Sequence, residues 1–450
     1  MNRNFLAPVL ILLLLGGSCA AERPGGAMKK PAANQEAGKG PGADLWADHK
    51  TTYDAHRPYL KLHFDDREME FAFQWILGSA ANGGCEIGEA FYVAGNIKDG
   101  NPQSWQEEWE KMAQRVEARA EKSLAAGHRV SARGAFLKAA NYYRAALISM
   151  LPDNPKFKKI AAKFRSCFQK GGALFEPRLE YIEIPFEGTV LPGYFMKGGP
   201  GGRKRQTLVM IGGGETFAEE SWFHIGPETI KRGYNFLTVD LPGQGLLPLE
   251  KHFFRADTEA PMKAVLDYAY RRPEIDRARL AVFGISFGGY FVPRAAVYDR
   301  RIKACVVSAA VVDNYRMFAR MPVGKATQEE IKHWPAFQRS VASTVAWRWG
   351  LDPADIKGMV EKGRNYRFDP SKVACPFLSL ISEGDYADEE TRKQQHECMD
   401  KLPNPKKKMV IAPANEGASS HCLAENRSLM SQIVFDWLDE LFPEAKAKQP

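Results

Sequence analysis

The stretch Leu280-Ala281-Val282-Phe283-Gly284-Ile285-Ser286-Phe287-Gly288-Gly289 changes character halfway along. Its four leading apolar residues suit a strand buried on both faces, and the glycines that follow stop it. Gly284-Ile285-Ser286-Phe287-Gly288 has the spacing G-x-S-x-G, and the residues after it suit a helix. A strand that turns sharply into a helix strains the backbone at the central serine. The flanking residues must be small, because strand and helix crowd each other there. Such a turn lifts the Ser286 hydroxyl clear of the sheet. The rival reading is a glycine-rich packing turn with an inert serine.

Flanking sequence repeats the strand half of this pattern. Short apolar runs at Thr207 to Ile211, Phe236 to Val239, Ala304 to Val307, Phe377 to Ile381 and Met409 to Ile411 alternate with helical stretches. That grammar predicts an α/β fold with a mostly parallel sheet covered on both faces. Leu179 to Ile184 alternates like a half-buried strand, with Val190 to Met196 as its hairpin partner across Glu187-Gly188. Between Val311 and Val373 the strand signal gives way to helical, Trp-rich sequence. An insertion there sits over the C-terminal strand ends, where such sheets bind ligands. The core is therefore expected over residues 176–310 and 374–445, with a helical insertion at 311–373.

Residues 46–175 have helical periodicity. Ser104-Trp105-Gln106-Glu107 reads as a capping box, followed by Trp105, Trp109, Met112, Val116, Ala120 and Leu124 on one apolar face. Gly127-His128 breaks the pattern, and a second helix runs from Ser131 to Met150, stopped by Pro152. The aromatic stripe is expected to pack helix on helix.

The 450 residues are 44% hydrophobic and 26% charged, a globular composition that excludes a disordered chain, a collagen and a disulfide miniprotein. A net charge of +8 arises from 62 Lys+Arg against 54 Asp+Glu, in short scattered runs. They make no stripe for a phosphate backbone, so nucleic acid is not an expected partner. The one long apolar run, Phe5 to Leu15, follows Arg3 and precedes Gly16 to Ala21, all small residues, as in an export signal. Ser18 and Ala20 fit cleavage after Ala20, which gives a signal at residues 1–20 and a Gly/Pro/Lys-rich tether at 21–45. Leu15-Gly16-Gly17-Ser18-Cys19 also resembles a lipobox, in which case Cys19 is lipidated and the protein touches a membrane. Both readings make the protein exported, periplasmic or secreted. Of seven cysteines, the six beyond Cys19 have spacings that fix no disulfide pairing, and Cys305 and Cys375 read as buried thiols. No CxxC or HExxH is present, so no metal is expected.

A serine hydroxyl needs a base to act as a nucleophile, and the base needs an acid to orient it. Both should follow Ser286 in the order acid, then histidine, each after a strand. Ser382-Glu383-Gly384-Asp385 follows Phe377 to Ile381 and offers Asp385, with Asp388 and Glu383 as alternatives. His421 comes after the last strand run. Backbone N–H groups for a developing oxyanion should come from Phe287, after the serine, and from Gly214 in Ile211-Gly212-Gly213-Gly214-Glu215-Thr216. Asp240-Leu241-Pro242-Gly243-Gln244-Gly245 reads as a structural turn.

With these motifs in this order, residues from Leu179 to Phe442 resemble the α/β-hydrolase superfamily. Gly127-His128-Arg129-Val130-Ser131-Ala132-Arg133, Ala140-Asn141-Tyr142-Tyr143-Arg144-Ala145, Gly213 to Thr216 and Glu416-Gly417-Ala418 with His421-Cys422 are similar to a narrower group. That group holds the 2,6-dihydroxypseudooxynicotine hydrolase, fungal polyketide-shortening hydrolases and esterase-like FrsA proteins. The resemblance implies a cofactor-free serine hydrolase acting on a small molecule, with the N-terminal helices helping to close the active site. Some members cleave a carbon–carbon bond beside a ketone and others cleave esters. Some use a further acidic residue near the substrate, for which Glu215 and Asp313 are the candidates. A peptidase of the prolyl-oligopeptidase type, a catalytically silent binding protein and a homodimer stay open.

Overall fold

The computed structural model describes residues 54–56 and 58–443. The export signal, the tether and Trp46 lie outside these residues. Along the chain come helices α1 (Arg67–Gly78), α2 (Ile87–Ala94), α3 (Pro102–Ala125), α4 (Arg129–Leu147) and α5 (Phe157–Ala173). The hairpin β1 (Glu180–Phe186) and β2 (Thr189–Met196) follows, then β3 (Arg205–Ile211), α6 (Ala218–Lys231) and β4 (Asn235–Val239). Next are α7 (Glu259–Arg271), β5 (Ile275–Ile285), α8 (Gly288–Tyr298) and β6 (Ala304–Ser308). The segment before the next strand carries α9 (Asn314–Arg320), α10 (Pro322–Lys325), α11 (Gln328–Lys332), α12 (Ala336–Arg348) and α13 (Gly358–Lys362). The chain then returns to the sheet with β7 (Phe377–Ser382), α14 (Glu383–Ala387), α15 (Glu389–Lys401), β8 (Lys407–Ala412) and α16 (Arg427–Leu441).

The strands form one sheet in the order β1-β2-β4-β3-β5-β6-β7-β8. β1 pairs antiparallel with β2 and β2 with β4, and all other neighbours run parallel. Period-two alternation sends successive residues to opposite cores. In β5, Leu280 and Val282 join the core under α7 and α8, whereas Ala281 and Phe283 join the core shared with α6, α16 and the N-terminal helices. Because both faces are covered, every position from Leu280 to Ile285 is apolar or glycine, and the run reads as continuous.

α1 to α5 share the core of the sheet face beneath them. Phe168 of α5 packs edge-on against Tyr194 of β2 at 4.8 Å, and Phe164 against Phe217 at 5.3 Å. Trp105, Trp109, Met112, Val116 and Ala120 are buried, as the stripe on α3 requires. The same helix reaches the insertion: Trp105 meets Phe337 of α12 at 5.1 Å. The N-terminal helices and the insertion therefore meet above the carboxyl ends of the strands.

Ser104 does not cap the helix as its capping-box spacing predicts. α3 begins at Pro102, and its cap is Asn101, whose side chain accepts from Ser104 N at 2.9 Å. Asn followed by Pro outcompetes the later serine, since proline's fixed φ suits the first helical turn. Ser104 Oγ instead accepts from Lys98 N at 2.9 Å. The next helix begins at Arg129 rather than Ser131 and ends at Leu147 rather than Met150.

Candidate active site

β5 ends at Ile285 and α8 begins at Gly288, so the chain must reverse direction within two residues. Ser286 takes φ +52°, the left-handed region that L side chains rarely occupy. The crowding is visible at the glycines. A Cβ on Gly284 would stand 2.1 Å from Gly288 O, and one on Gly289 would stand 1.8 Å from Ala309 O. Only residues without a side chain fit. A hydrogen bond from Ser286 N to Ser308 O, 2.8 Å, ties the turn to β6.

Ser286 Oγ lies 3.0 Å from His421 Nε2, and His421 Nδ1 lies 2.8 Å from Asp385 Oδ2. Asp385 stands in α14 directly after β7, its backbone N–H held by the Ser382 hydroxyl cap at 3.1 Å. His421 follows β8 in a loop held from several sides. Glu425 Oε1 accepts from both Ser419 N and Ser420 N at 2.6 Å, and the Cys422 thiol donates to Ser308 O at 3.3 Å. The Ser420 hydroxyl donates to Gln74 Oε1 of α1 at 3.2 Å. Arg427, just beyond, donates to Trp75 O at 2.6 Å.

Burial opposes a charge on the His421 ring, but the Asp385 carboxylate bonded to it helps hold its pKa well above the ordinary value of 6.5. A base must be neutral to take a proton from serine, so the raised pKa puts the protonated, inactive form at higher pH than usual. The acid limb of the pH profile of kcat/KM, which reports the free enzyme, is expected to have its midpoint above 6.5. A midpoint below that value would contradict the pairing with Asp385.

The alternative acids are engaged elsewhere. Asp388 caps α15, accepting from Thr391 N at 2.8 Å, and pairs with Arg320 at 3.0 Å. Glu383 accepts from Ala414 N at 2.7 Å. Asp313 caps α9 by accepting from Arg316 N at 3.1 Å, and it is not among the residues that line the cavity around Ser286. Glu215, Gly214 and Phe287 do line it.

The glycine loop after β3 presses on the serine. A Cβ on Gly213 would fall 2.6 Å from Ser286 Cβ. Gln244 Nε2 donates to the carbonyls of Gly212 and Gly213 at 2.8 and 2.9 Å, and the Thr216 hydroxyl donates to Gly213 O at 3.2 Å. With its carbonyls turned to these donors, the loop can present N–H groups to the cavity. Gln244 thus gives the turn at Asp240 to Gly245 a supporting role in the site.

Ser286 opens into a cavity of about 1250 Å³, its open mouth included. Most of its wall is apolar and comes from α9 to α12, through side chains such as Met317, Phe318, Trp334 and Val341. Opposite stands a polar cluster. His56 Nδ1 lies 2.6 Å from Glu68 Oε1, and Nε2 lies 3.4 Å from Glu215 Oε2. The His56 ring stacks on Phe71 at 4.7 Å with an 8° tilt. About a quarter of the His56 side chain is exposed, 26%, and its open face is cavity. Burial alone would lower the His56 pKa, but Glu68, Glu215 and Asp54 raise it to about 10. Burial likewise pushes Glu68 up to about 7, against the pull of His56. Neither His56 nor Glu68 is signalled by the sequence, because they lie in and beside helical sequence with no pattern of their own.

The family model described as esterase FrsA-like matches residues 93–358. The 20-hydroxy-prefusarin hydrolase FUS2 of Gibberella moniliformis is 30% identical over 405 residues, spanning 83% of this chain and 96% of that one. The α/β hydrolase gkaG of Penicillium citrinum is 36% identical over 426 residues, spanning 84% and 97%. The chain is an FrsA-like α/β-hydrolase. Among solved structures, the 2,6-dihydroxy-pseudo-oxynicotine hydrolase superposes with a TM-score of 0.64 at 20% identity, covering 80% of this hydrolase and 95% of that chain. AbyA5 does so at 0.55 and 20%, covering 82% and 98%. At such identities these likenesses speak to the fold. The family match takes in Ser286 and the glycine loop of the hydrolase but stops before Asp385 and His421. Those two residues are joined to Ser286 by the hydrogen bonds described above.

Proposed function

We propose that this hydrolase cleaves a carboxylic ester of a small molecule through an acyl-enzyme on Ser286. The observation that carries the reading is the hydrogen-bonded chain Ser286–His421–Asp385 at the floor of a largely apolar cavity. Ser286 Oγ attacks the ester carbonyl as His421 Nε2 takes its proton, and Asp385 holds Nδ1–H and stabilises the imidazolium. The tetrahedral oxyanion is met by the N–H groups of Phe287 and Gly214. His421 returns the proton to the leaving alkoxide, then activates a water that releases the acyl group. Each of these steps draws on groups of the chain itself.

A second reading has a specific observation in its favour. Hydrolysis of a carbon–carbon bond beside a ketone expels a carbanion, which needs a donor at a second carbonyl in a closed pocket. The cluster of His56, Glu68 and Glu215 offers such a donor. Matched aryl esters and aryl β-diketones of one shape, compared by kcat/KM, separate the two. The ester is expected to be the better substrate. A diketone preference of about a hundredfold, roughly 2.7 kcal/mol in the transition state, would replace the first reading with the second.

A further inference from the structure

The cavity has two lobes that meet at Ser286. The larger lies under the insertion and is walled by Met317, Phe318, Met321, Trp334, Val345 and Trp349. The smaller runs between α1 and the glycine loop, past Phe71, Trp75 and Ile148 toward the buried ion pair of Arg144 with Glu220. Ser286, His421, Gly214, His56, Glu68 and Glu215 line both. A substrate whose scissile carbonyl sits at Ser286 has room for one arm in an apolar chamber and another in the smaller lobe, with the polar cluster within reach of both.

The two contacts of His56 are unequal. Nδ1 to Glu68 at 2.6 Å is a short, charge-assisted hydrogen bond that fixes the ring, with help from the stack on Phe71. Nε2 to Glu215 at 3.4 Å exceeds the usual range for N–H···O of about 2.7–3.2 Å. The Glu215 backbone is held in place, since its carbonyl accepts from Arg144 at 3.0 Å. An oriented ring nitrogen thus faces the carboxylate of a residue with a held backbone, at a distance longer than a good hydrogen bond, so neither group is fully satisfied by the other. No oxygen can stand between two atoms 3.4 Å apart, but a hydroxyl oxygen on the cavity side can lie about 2.8–3.0 Å from both, accepting from His56 Nε2–H and donating to Glu215. A hydroxyl has both capacities, whereas an ether or a ketone can only accept.

We propose that His56 and Glu215 form a fork that binds a hydroxyl group of the substrate beside Ser286, making the hydrolase selective for hydroxylated esters whose apolar arm fills the larger lobe. The proposal rests on the serine-hydrolase reading above and adds the substrate class. Neither residue transfers a proton in it; both touch substrate and set specificity. A site built to hydrogen-bond a hydroxyl rejects the analogue that lacks it, because its own polar groups are then left unpaired.

The test uses two aryl esters of one bulky apolar group, one with a hydroxyl on the short arm and one with a methyl there. Wild-type enzyme is expected to favour the hydroxylated ester by about tenfold or more in kcat/KM. In His56→Ala and Glu215→Ala the ratio should fall toward one. Labelling of Ser286 by a fluorophosphonate shows in each variant that the site is still assembled, and either variant suffices if the other fails to fold. A wild-type ratio near one, with both esters turned over and Ser286 labelled, overturns the fork and leaves the serine-hydrolase reading standing. A ratio that persists in both labelled variants also overturns it. Failure of wild-type enzyme to label or to cleave either ester overturns both.

Discussion

Ser286→Ala is expected to lower kcat by roughly 10⁴- to 10⁶-fold while leaving the fold intact. Serine, base and acid act as a unit, so loss of the nucleophile leaves only what binding and the oxyanion donors contribute. The fold should survive, because alanine keeps the Cβ that already fits between β5 and α8. What disappears with the hydroxyl is the hydrogen bond from Oγ to His421 at 3.0 Å. Backbone geometry is unchanged as well, since alanine and serine meet similar resistance at φ +52°. Turnover of an aryl ester, fluorophosphonate labelling and circular dichroism together read the result. Folded Ser286→Ala protein with full activity would sink the serine mechanism.

Asp385→Asn should cost about 10⁴-fold in kcat, because an amide in place of the carboxylate favours the wrong imidazole tautomer. It should also move the acid limb of kcat/KM to lower pH, since one of the groups raising the His421 pKa is removed. Asp388→Asn is the matched control. It sits three residues on, equally buried, but its oxygens serve Thr391 N and Arg320. Asparagine can still cap α15 and gives up only the charge facing Arg320, so its effect should fall on stability far more than on turnover. Should the two variants rank the other way in kcat, Asp385 is not the acid.

The parts of this molecule that are legible in the sequence are those where local chemistry and tertiary role coincide. β3, β4, β6, β7 and the second half of β5 are buried on both faces, so each announces itself as an apolar run, and the turn at Ser286 demands glycines that no packing argument replaces. Asp385 and His421 can be found because each follows a strand whose end must lie at the same edge as Ser286. Where one residue type serves two purposes, sequence cannot choose. Asp313 and Asp388 open helices, and an aspartate there satisfies orphan backbone N–H groups whatever else is nearby. Ser104 reads as a cap because it precedes the apolar stripe, but Asn101-Pro102 starts the helix earlier. His56, Glu68 and Glu215 meet only because α1 docks against the loop after β3, and no local spacing records that encounter.

The hydrogen bond between Ser420 and Gln74 has a consequence in time as well as in space. Chains are made from the amino end, so α1 and its neighbours emerge long before the loop that carries His421. For most of synthesis the early helices have a docking face with nothing to clamp, and Ser286 lacks the base the proposed mechanism gives it. On the proposed mechanism, hydrolytic competence arrives only with the last segment of the chain, when Ser420 reaches Gln74 and Arg427 reaches Trp75. Truncated or stalled products are then expected to be inert, and a protease that severs the early helices from the body removes a brace from the same histidine.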